Sequence, residues 1–204
     1  MINLLAIGDA HIPRRAREIP PKIYEKLETL AEERLFDYTF FTGDVIDAPE
    51  FIEFLKLRTK RDFFRVIGNM DYYGGNRDAP VFQKLELSNH LLIGMTHGAQ
   101  ITPRGDHDQL ELLAVEKSYN ILISGHTHQE EMTLTKNGFL LLNPGSVTGA
   151  WSFVASQIPS FIVIKVNEET GNIAIILYQL ITRENIISEK QDYFIFDGKT
   201  IKRI

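Results

Sequence analysis

The chain has 204 residues, 44% hydrophobic and 24% charged, and its 22 Lys and Arg against 27 Asp and Glu give a formal net charge of −5. This balance is typical of a globular protein with one generous domain or two small ones, and it argues against broad duplex-DNA binding. Cysteine is absent, which excludes disulfide scaffolds, thiolate zinc sites, iron–sulfur clusters and cysteine nucleophiles. A metal ion would need nitrogen and oxygen ligands, and six His are present.

Nothing in the sequence predicts export or membrane insertion. Met1–Ile7 is apolar but short and has no basic leader, so it is typical of a first strand rather than of a secretory signal. No apolar run approaches the roughly 18–20 residues of a membrane span. We therefore expect a soluble, cytoplasmic protein.

The first two-thirds of the chain alternates strand-like and helix-like segments. Between Pro21 and Leu35, apolar residues recur every three or four positions, which predicts an amphipathic helix. The elements predicted for this part are, in chain order, strand Asn3–Ile7, helix Pro21–Leu35, strand Tyr38–Thr42, helix Ala48–Lys60, strand Phe63–Ile67, strand Leu91–Met95, helix Asp108–Lys117 and strand Ile121–Ser124.

The remainder of the chain is β-like. The strands predicted there are Glu131–Thr135, Phe139–Leu142, Phe161–Val166, Ile173–Leu180, Tyr193–Phe196 and Thr200–Arg203. Asp197-Gly198 between the last two is a strong hairpin signal. We interpret the chain as a single α/β domain spanning 1–204, in which 186–204 is a C-terminal β-hairpin extension.

Five predicted strands are followed at once by side chains that can bind a metal ion. In α/β sheets, ligands bind at the carboxyl ends of the strands, and glycine there lets the backbone turn tightly. Each motif alone is weak, but their occurrence at five strand ends is hard to reach by chance. The motifs are Gly8-Asp9-Ala10-His11, Gly43-Asp44-Val45-Ile46-Asp47, Gly68-Asn69-Met70-Asp71, Thr96-His97-Gly98 and Gly125-His126-Thr127-His128.

This ordered set, closed by Asn143-Pro144-Gly145-Ser146, resembles the calcineurin-like metallophosphoesterase family. The resemblance runs from about Asn3 to Leu180. It is strongest in the loops, which look like those of the small YfcE-type phosphodiesterases and of the metallophosphoesterase-like subunit of the retromer coat. The resemblance implies a four-layer α/β/β/α sandwich of two mixed β-sheets with a dinuclear metal centre at the strand ends.

Carried over residue by residue, the resemblance implies a complete set of metal ligands. The first ion would be bound by Asp9, His11 and His128, the second by Asn69, His97 and His126, and both by Asp44. The resemblance also implies catalysis at Asp44, Asn69 and His97, by a hydroxide that bridges the two ions and attacks the phosphate ester. Asp47 and Asp71 are expected to cap loops or orient ligands rather than to bind metal.

The types of ligand limit which metal ions suit the site. Imidazole and carboxylate together favour borderline divalent ions, whereas Mg²⁺ and Ca²⁺ prefer all-oxygen sites. We therefore expect two divalent ions per chain, with Mn²⁺ favoured and Ni²⁺, Zn²⁺, Fe²⁺ or Co²⁺ also suitable.

One position departs from the pattern of many relatives. They carry His directly after the Gly-Asn motif, where it can protonate the leaving oxygen, but this chain has Met70. A thioether is no general acid, so monoesters with poor leaving groups should react slowly. The expected substrate is therefore a small phosphodiester or an aryl phosphate.

Several residues near the motifs could contact a substrate, and each has a structural alternative. Arg14 could attract a phosphate or belong to a solvated charged loop. Tyr72 could stack on a nucleobase or form a wall. His107 could replace the missing proton donor, or it could be background. Trp151 and Phe153 could close a site, seat a partner or pack in the core.

Three functions are compatible with these features. The intact Asp44 and Asn69 favour an enzyme, a metal-dependent phosphodiesterase, because the retromer subunit is degraded at the matching positions. The first alternative is a non-catalytic scaffold or protein-interaction module, like that subunit, with a vestigial metal site. The second is a metal-binding sensor without turnover. The loops leave room for a homo-oligomer or a protein partner beside the site.

Overall fold

Two mixed β-sheets lie face to face and carry helices on their outer surfaces, in the four-layer α/β/β/α order implied by the resemblance. The computed structural model describes all of residues 1–204. None of its helices combines the length and the apolar character needed to cross a membrane.

The larger sheet has seven strands. Across the sheet, their order is β12 (Ile201–Arg203), β11 (Ile186–Phe196), β10 (Asn172–Ile181), β9 (Ser160–Val166), β1 (Ile2–Ile7), β2 (Phe36–Phe41) and β3 (Thr59–Arg65). β1, β2 and β3 are parallel, and the other neighbours are antiparallel.

The smaller sheet has five strands. Their order is β4 (Phe82–Glu86), β5 (Leu92–Thr96), β6 (Ile121–Ile123), β8 (Leu140–Pro144) and β7 (Glu130–Leu134). The three inner strands are parallel, and β4 and β7 are antiparallel edges.

The main core lies between the two sheets. Leu4 and Phe40 of the larger sheet are fully buried there, together with Ile123 and Leu140 of the smaller one. The central strands are apolar on both faces because helices cover their outer faces, as is usual for parallel strands in α/β proteins.

Two helices cover the outer face of the seven-stranded sheet. α1 (Pro21–Glu33) buries Ile23 and Leu27, and α2 (Pro49–Leu57) buries Phe51 against the sheet. Both helices begin at proline, which lacks the N–H that a first helical turn would leave unpaired.

One helix covers the outer face of the five-stranded sheet. α4 (His107–Lys117) buries Leu110 and Ala114 there. Its start is fixed by Asp106, whose side chain accepts a 2.9 Å hydrogen bond from the Gln109 backbone N–H.

Most predicted elements are present within a few residues of their predicted bounds, with three exceptions. The predicted helix Ala48–Lys60 is too long, because Thr59 already pairs with Phe36 as the start of β3. The short helix α3 (Asn69–Tyr73) and the edge strand β4 were not predicted. Five residues are too few for a helical period to show, and β4 is defined by its pairing with β5.

Region 186–204 contributes the last two strands of the larger sheet. β11 begins at Ile186, earlier than the predicted start at Tyr193, because the polar stretch between them pairs with β10 along its full length. Phe194, Phe196 and Ile201 then enter the core between the sheets.

Candidate metal centre

The carboxyl ends of strands from both sheets meet at one edge of the sandwich, which we call the rim. Two hydrogen bonds link the sheets there. His97 Nδ1, after β5, donates to the Thr42 carbonyl at 2.8 Å, and the His126 N–H, after β6, donates to Asp9 Oδ2 at 3.2 Å. The strand-end motifs of the sequence are thereby brought together.

The rim backbone is unusual, because five predicted ligands have a left-handed conformation. Their φ angles lie between 51° and 68°, and the residues are Asp9, His11, Asp44, His126 and His128. Non-glycine residues adopt this conformation at a cost, and such residues cluster where function requires a special side-chain direction.

Asp9, His11 and His128 form a first buried cluster whose ligand atoms lie within 4.8 Å of one another. His11 Nε2 is 2.9 Å from His128 Nε2, which is 3.3 Å from Asp9 Oδ1. His128 Nδ1 donates to the Ala150 carbonyl at 2.8 Å, so its Nε2 lone pair faces the cluster. Asp9 Oδ1 is buried without any hydrogen-bond partner. An unpaired carboxylate oxygen facing two imidazole nitrogens fits a bound cation.

Asp9 and Asp44 form a second buried cluster with His97. His97 Nε2 lies 3.4 Å from Asp44 Oδ2 and 3.1 Å from Asn69 Oδ1. Because its Nδ1 donates to a carbonyl, this ring also directs Nε2 toward the cluster. The predicted ligand Asn69 therefore lies at the same place as His97.

Asp44 lies between the two clusters. Its Oδ2 is 3.5 Å from His11 Nε2 and 3.4 Å from His97 Nε2. Its Oδ1 points away and accepts the Met70 N–H at 2.7 Å. One carboxylate oxygen is thus anchored, and the other faces a histidine from each cluster, as a bridging ligand requires.

His126 is the predicted ligand whose ring lies outside both clusters. Its ring centroid is 5.1 Å from that of His97. Burial, together with the charges of His97 and Arg104, lowers the pKa of His126 to about 4. The ring is therefore neutral near pH 7 and keeps a free nitrogen lone pair.

The buried charges of the site are strongly coupled. Burial by itself would raise the pKa of Asp9, but His128 and His11 bring it well below its ordinary value. Burial opposes a charge on His97 as well, yet its hydrogen bond to Asp44 and the charges of Asp9 and Asp44 raise its pKa to about 9. The carboxylates are thus ionised, and His97 holds a proton that a metal ion would have to displace.

Other residues hold the ligands in place. Asp71 accepts the Asp44 N–H at 2.8 Å and the Ile46 N–H at 2.9 Å, so it caps this loop as expected. The Ser146 hydroxyl donates to the Asp9 carbonyl at 2.7 Å and accepts the Ala150 N–H, which gives it a structural role. The part played by the Thr42 carbonyl was missed, since a backbone acceptor leaves no signal in a sequence.

The three predicted substrate contacts lie outside both clusters. Arg14 is exposed on the loop after His11, and Tyr72 is half-exposed on α3 with the Arg77 guanidinium 4.4 Å from its ring centroid. His107 begins α4 and lies 2.5 Å from Glu131 Oε1. Neither Arg14 nor His107 has a contact with a predicted ligand.

Comparison with known proteins places these features in a family. Residues 2–169 match the model of the calcineurin-like phosphoesterase superfamily domain. A probable metallophosphoesterase of Methanocaldococcus jannaschii is 37% identical over 142 residues, which are 70% of this chain and 66% of that protein. The chain thus spans 66% of the length of this curated relative.

Solved structures with the same fold extend over nearly the whole chain. Vacuolar Protein Sorting 29 of Cryptosporidium parvum is 30% identical with a TM-score of 0.82, covering 96% of this chain and 98% of that one. Vps29 of Entamoeba histolytica, solved with zinc, is 27% identical with a TM-score of 0.81, covering 94% and 99%. From its sequence match over residues 2–169, the chain belongs to the calcineurin-like phosphoesterase superfamily, a family of metal-binding hydrolases.

Proposed function

We propose that this chain is a metal-dependent phosphodiesterase that works with two divalent metal ions, Mn²⁺ being favoured. The observation that carries the proposal is the position of Asp44, whose Oδ2 faces His11 at 3.5 Å and His97 at 3.4 Å. A carboxylate shared by two clusters of nitrogen and oxygen ligands suits a dinuclear centre.

Each ion would have its own set of ligands. Asp9, His11 and His128 would hold the first, and Asn69, His97 and His126 the second, with Asp44 contacting both. Two bound divalent ions supply positive charge and Lewis acidity to a phosphoryl group.

The protein itself contributes the orientation of the ligands. Carbonyl oxygens of Thr42 and Ala150 fix the His97 and His128 rings with Nε2 inward, which sets their tautomers before any metal binds. The anchoring of Asp44 by the Met70 N–H prevents its carboxylate from rotating away. The site is therefore preorganised, which reduces the cost of assembling it around substrate.

Met70 determines which esters suit this site. It begins the first turn of α3 beside Asn69, where the side chain cannot donate a proton. Ionisable His107 is engaged with Glu131 instead. Diesters and aryl phosphates, whose leaving groups need less protonation, are therefore favoured over alkyl monoesters.

The test uses metal-stripped protein reloaded with Mn²⁺, Zn²⁺ or Ni²⁺ and assayed on bis-p-nitrophenyl phosphate and p-nitrophenyl phosphate. We expect diester turnover that falls by about 100-fold or more in Asp44→Asn, because both ions lose a ligand. Asp47→Asn is the matched control, since Asp47 is on the same loop but outside both clusters. Equal activity of the two variants would contradict the assignment.

A scaffold function is the second candidate. It is favoured by the Vps29 likeness, with TM-scores of 0.82 over 95% or more of this chain. Metal binding alone does not separate the candidates, because Vps29 of Entamoeba histolytica was solved with zinc. Stoichiometric metal binding without turnover of any ester would replace the enzyme by a protein-interaction module.

A further inference from the structure

An aromatic pair is exposed on the loop between β8 and β9. Trp151 is 52% exposed and Phe153 is 78% exposed. Their ring centroids are 5.1 Å apart, with an angle of 61° between the ring planes. Two large exposed rings held against each other are unusual on a protein surface and mark a binding surface.

The aromatic pair is fixed to the first metal cluster by hydrogen bonds at its base. The carbonyl of Ala150, directly before Trp151, accepts from His128 Nδ1 at 2.8 Å. The Trp151 carbonyl accepts from Arg15 Nη1 at 3.0 Å, and the Arg15 N–H donates to the His11 carbonyl at 2.9 Å. Ligands on both sides of the cluster therefore hold the pair at the rim.

Arg104 adds a positive charge between these features and the second cluster. Its guanidinium carbon lies 5.5 Å from the Phe153 ring centroid, and its Nη1 donates to Ser152 Oγ at 3.2 Å. After burial and the charge of His97, the charge of Arg104 also lowers the pKa of His126. The same guanidinium thus lies near the aromatic pair and within electrostatic reach of a predicted ligand.

We propose that Trp151 and Phe153 form a stacking platform for a flat aromatic group of the substrate, so that the preferred esters carry a nucleobase. This inference rests on the proposed function and names its substrate class. Bases stack on exposed aromatic side chains irrespective of their sequence, while the Arg15 and Arg104 guanidinium groups suit a phosphate. Rings, cations and metal cluster together match the three parts of a nucleotide ester.

The platform can be tested by binding, without turnover. Trp151 is the single tryptophan of the chain, so intrinsic fluorescence reports on this loop alone. The Mn²⁺-loaded protein is titrated with adenosine 5′-monophosphate and with ribose 5-phosphate, which share the phosphate and differ in the base. We expect saturable quenching by the nucleotide at a concentration about tenfold below that needed for the sugar phosphate.

Three variants identify the ring that stacks. Phe153→Leu, which leaves the Trp151 reporter in place, should weaken nucleotide binding about tenfold and change sugar phosphate binding less than about twofold. Tyr193→Leu removes an exposed ring on β11, away from the rim, and should change neither. Equal affinity of the wild type for both probes, or loss of the base preference in Tyr72→Leu but not in Phe153→Leu, would overturn the platform.

The inference and the proposed function can fail separately. Hydrolysis of bis-p-nitrophenyl phosphate with no preference for the base would retain the phosphodiesterase and reject the platform. Base-selective binding that depends on Phe153, with no hydrolysis of any ester, would retain the platform and reject the enzyme.

Discussion

Gly68 packs against the carboxylate of Asp44, and a β-carbon at Gly68 would lie well inside 3.0 Å of Asp44 Oδ1. The backbone of Gly68 is extended, with φ −85° and ψ 161°, which any residue can adopt. Glycine is therefore required here by the close approach of the carboxylate and not by backbone conformation.

Gly68→Ala should displace the Asp44 carboxylate and impair the centre. We expect Mn²⁺ affinity and diester kcat/KM to fall by about 100-fold, as for a lost metal ligand. The measurements are calorimetric Mn²⁺ titration and steady-state kinetics. Gly75→Ala is a demanding control, since its φ of 89° adds strain but no atom lies within 4 Å of the added carbon. Similar losses in both variants would show that the Gly68 contact is unimportant.

The raised pKa of His97 predicts how the stability of the metal-free protein depends on pH. The pKa is about 9 in the fold against 6.5 for an ordinary histidine, so protonated His97 stabilises the fold fully below pH 6.5. This contribution, roughly 3 kcal/mol, should be lost as the pH rises through 9. Urea unfolding in EDTA at several pH values measures it. His97→Asn should lack the decline, and an unchanged decline in that variant would assign it to other groups.

Met70→His should introduce the missing proton donor. We expect kcat/KM for phenyl phosphate to rise by about 100-fold relative to bis-p-nitrophenyl phosphate, because general acid catalysis assists poor leaving groups most. The two rates are measured over a range of pH, since an acidic limb should accompany the gain. Met70→Leu controls for a change in shape alone, and a comparable gain there would remove the chemical explanation.

Asp71→Ala should destabilise the loop that carries Asp44. The carboxylate accepts the N–H groups of Asp44 and Ile46 and pairs with Arg65 at 3.2 Å. Its loss leaves buried donors unsatisfied at about 1–3 kcal/mol each, so we expect roughly 3 kcal/mol of lost stability and a lower Mn²⁺ affinity. Chemical unfolding measures the first effect. Asp62→Ala, on exposed β3, should cost less than about 0.5 kcal/mol.

The order of the strand-end motifs was enough to predict that Asp9, Asp44 and His97 meet. Parallel strands bring their carboxyl ends to one edge, so a ligand placed just after each strand needs no further information to reach the rim. The same reasoning predicted the two sheets, because apolar segments alternate with amphipathic ones along the chain.

Other features depend on contacts distant in sequence. The carbonyl partners of His97 and His128 are backbone atoms of Thr42 and Ala150, and a sequence pattern does not reveal which carbonyl lies beside a ring. The outward direction of Phe153 could not be predicted either, since buried and exposed aromatic residues look the same in a sequence. Nor does any local signal connect Arg104 with His126.

The spacing of the first cluster along the chain has a consequence for synthesis on the ribosome. Asp9 emerges early, but His128 and the Ala150 carbonyl that orients it emerge much later, and β1 acquires its antiparallel neighbour only with Ser160–Val166. A nascent chain shorter than this has no closed cluster to offer a cation. Metal loading therefore follows translation of most of the chain, and the ion is selected by the finished fold and not by a growing peptide.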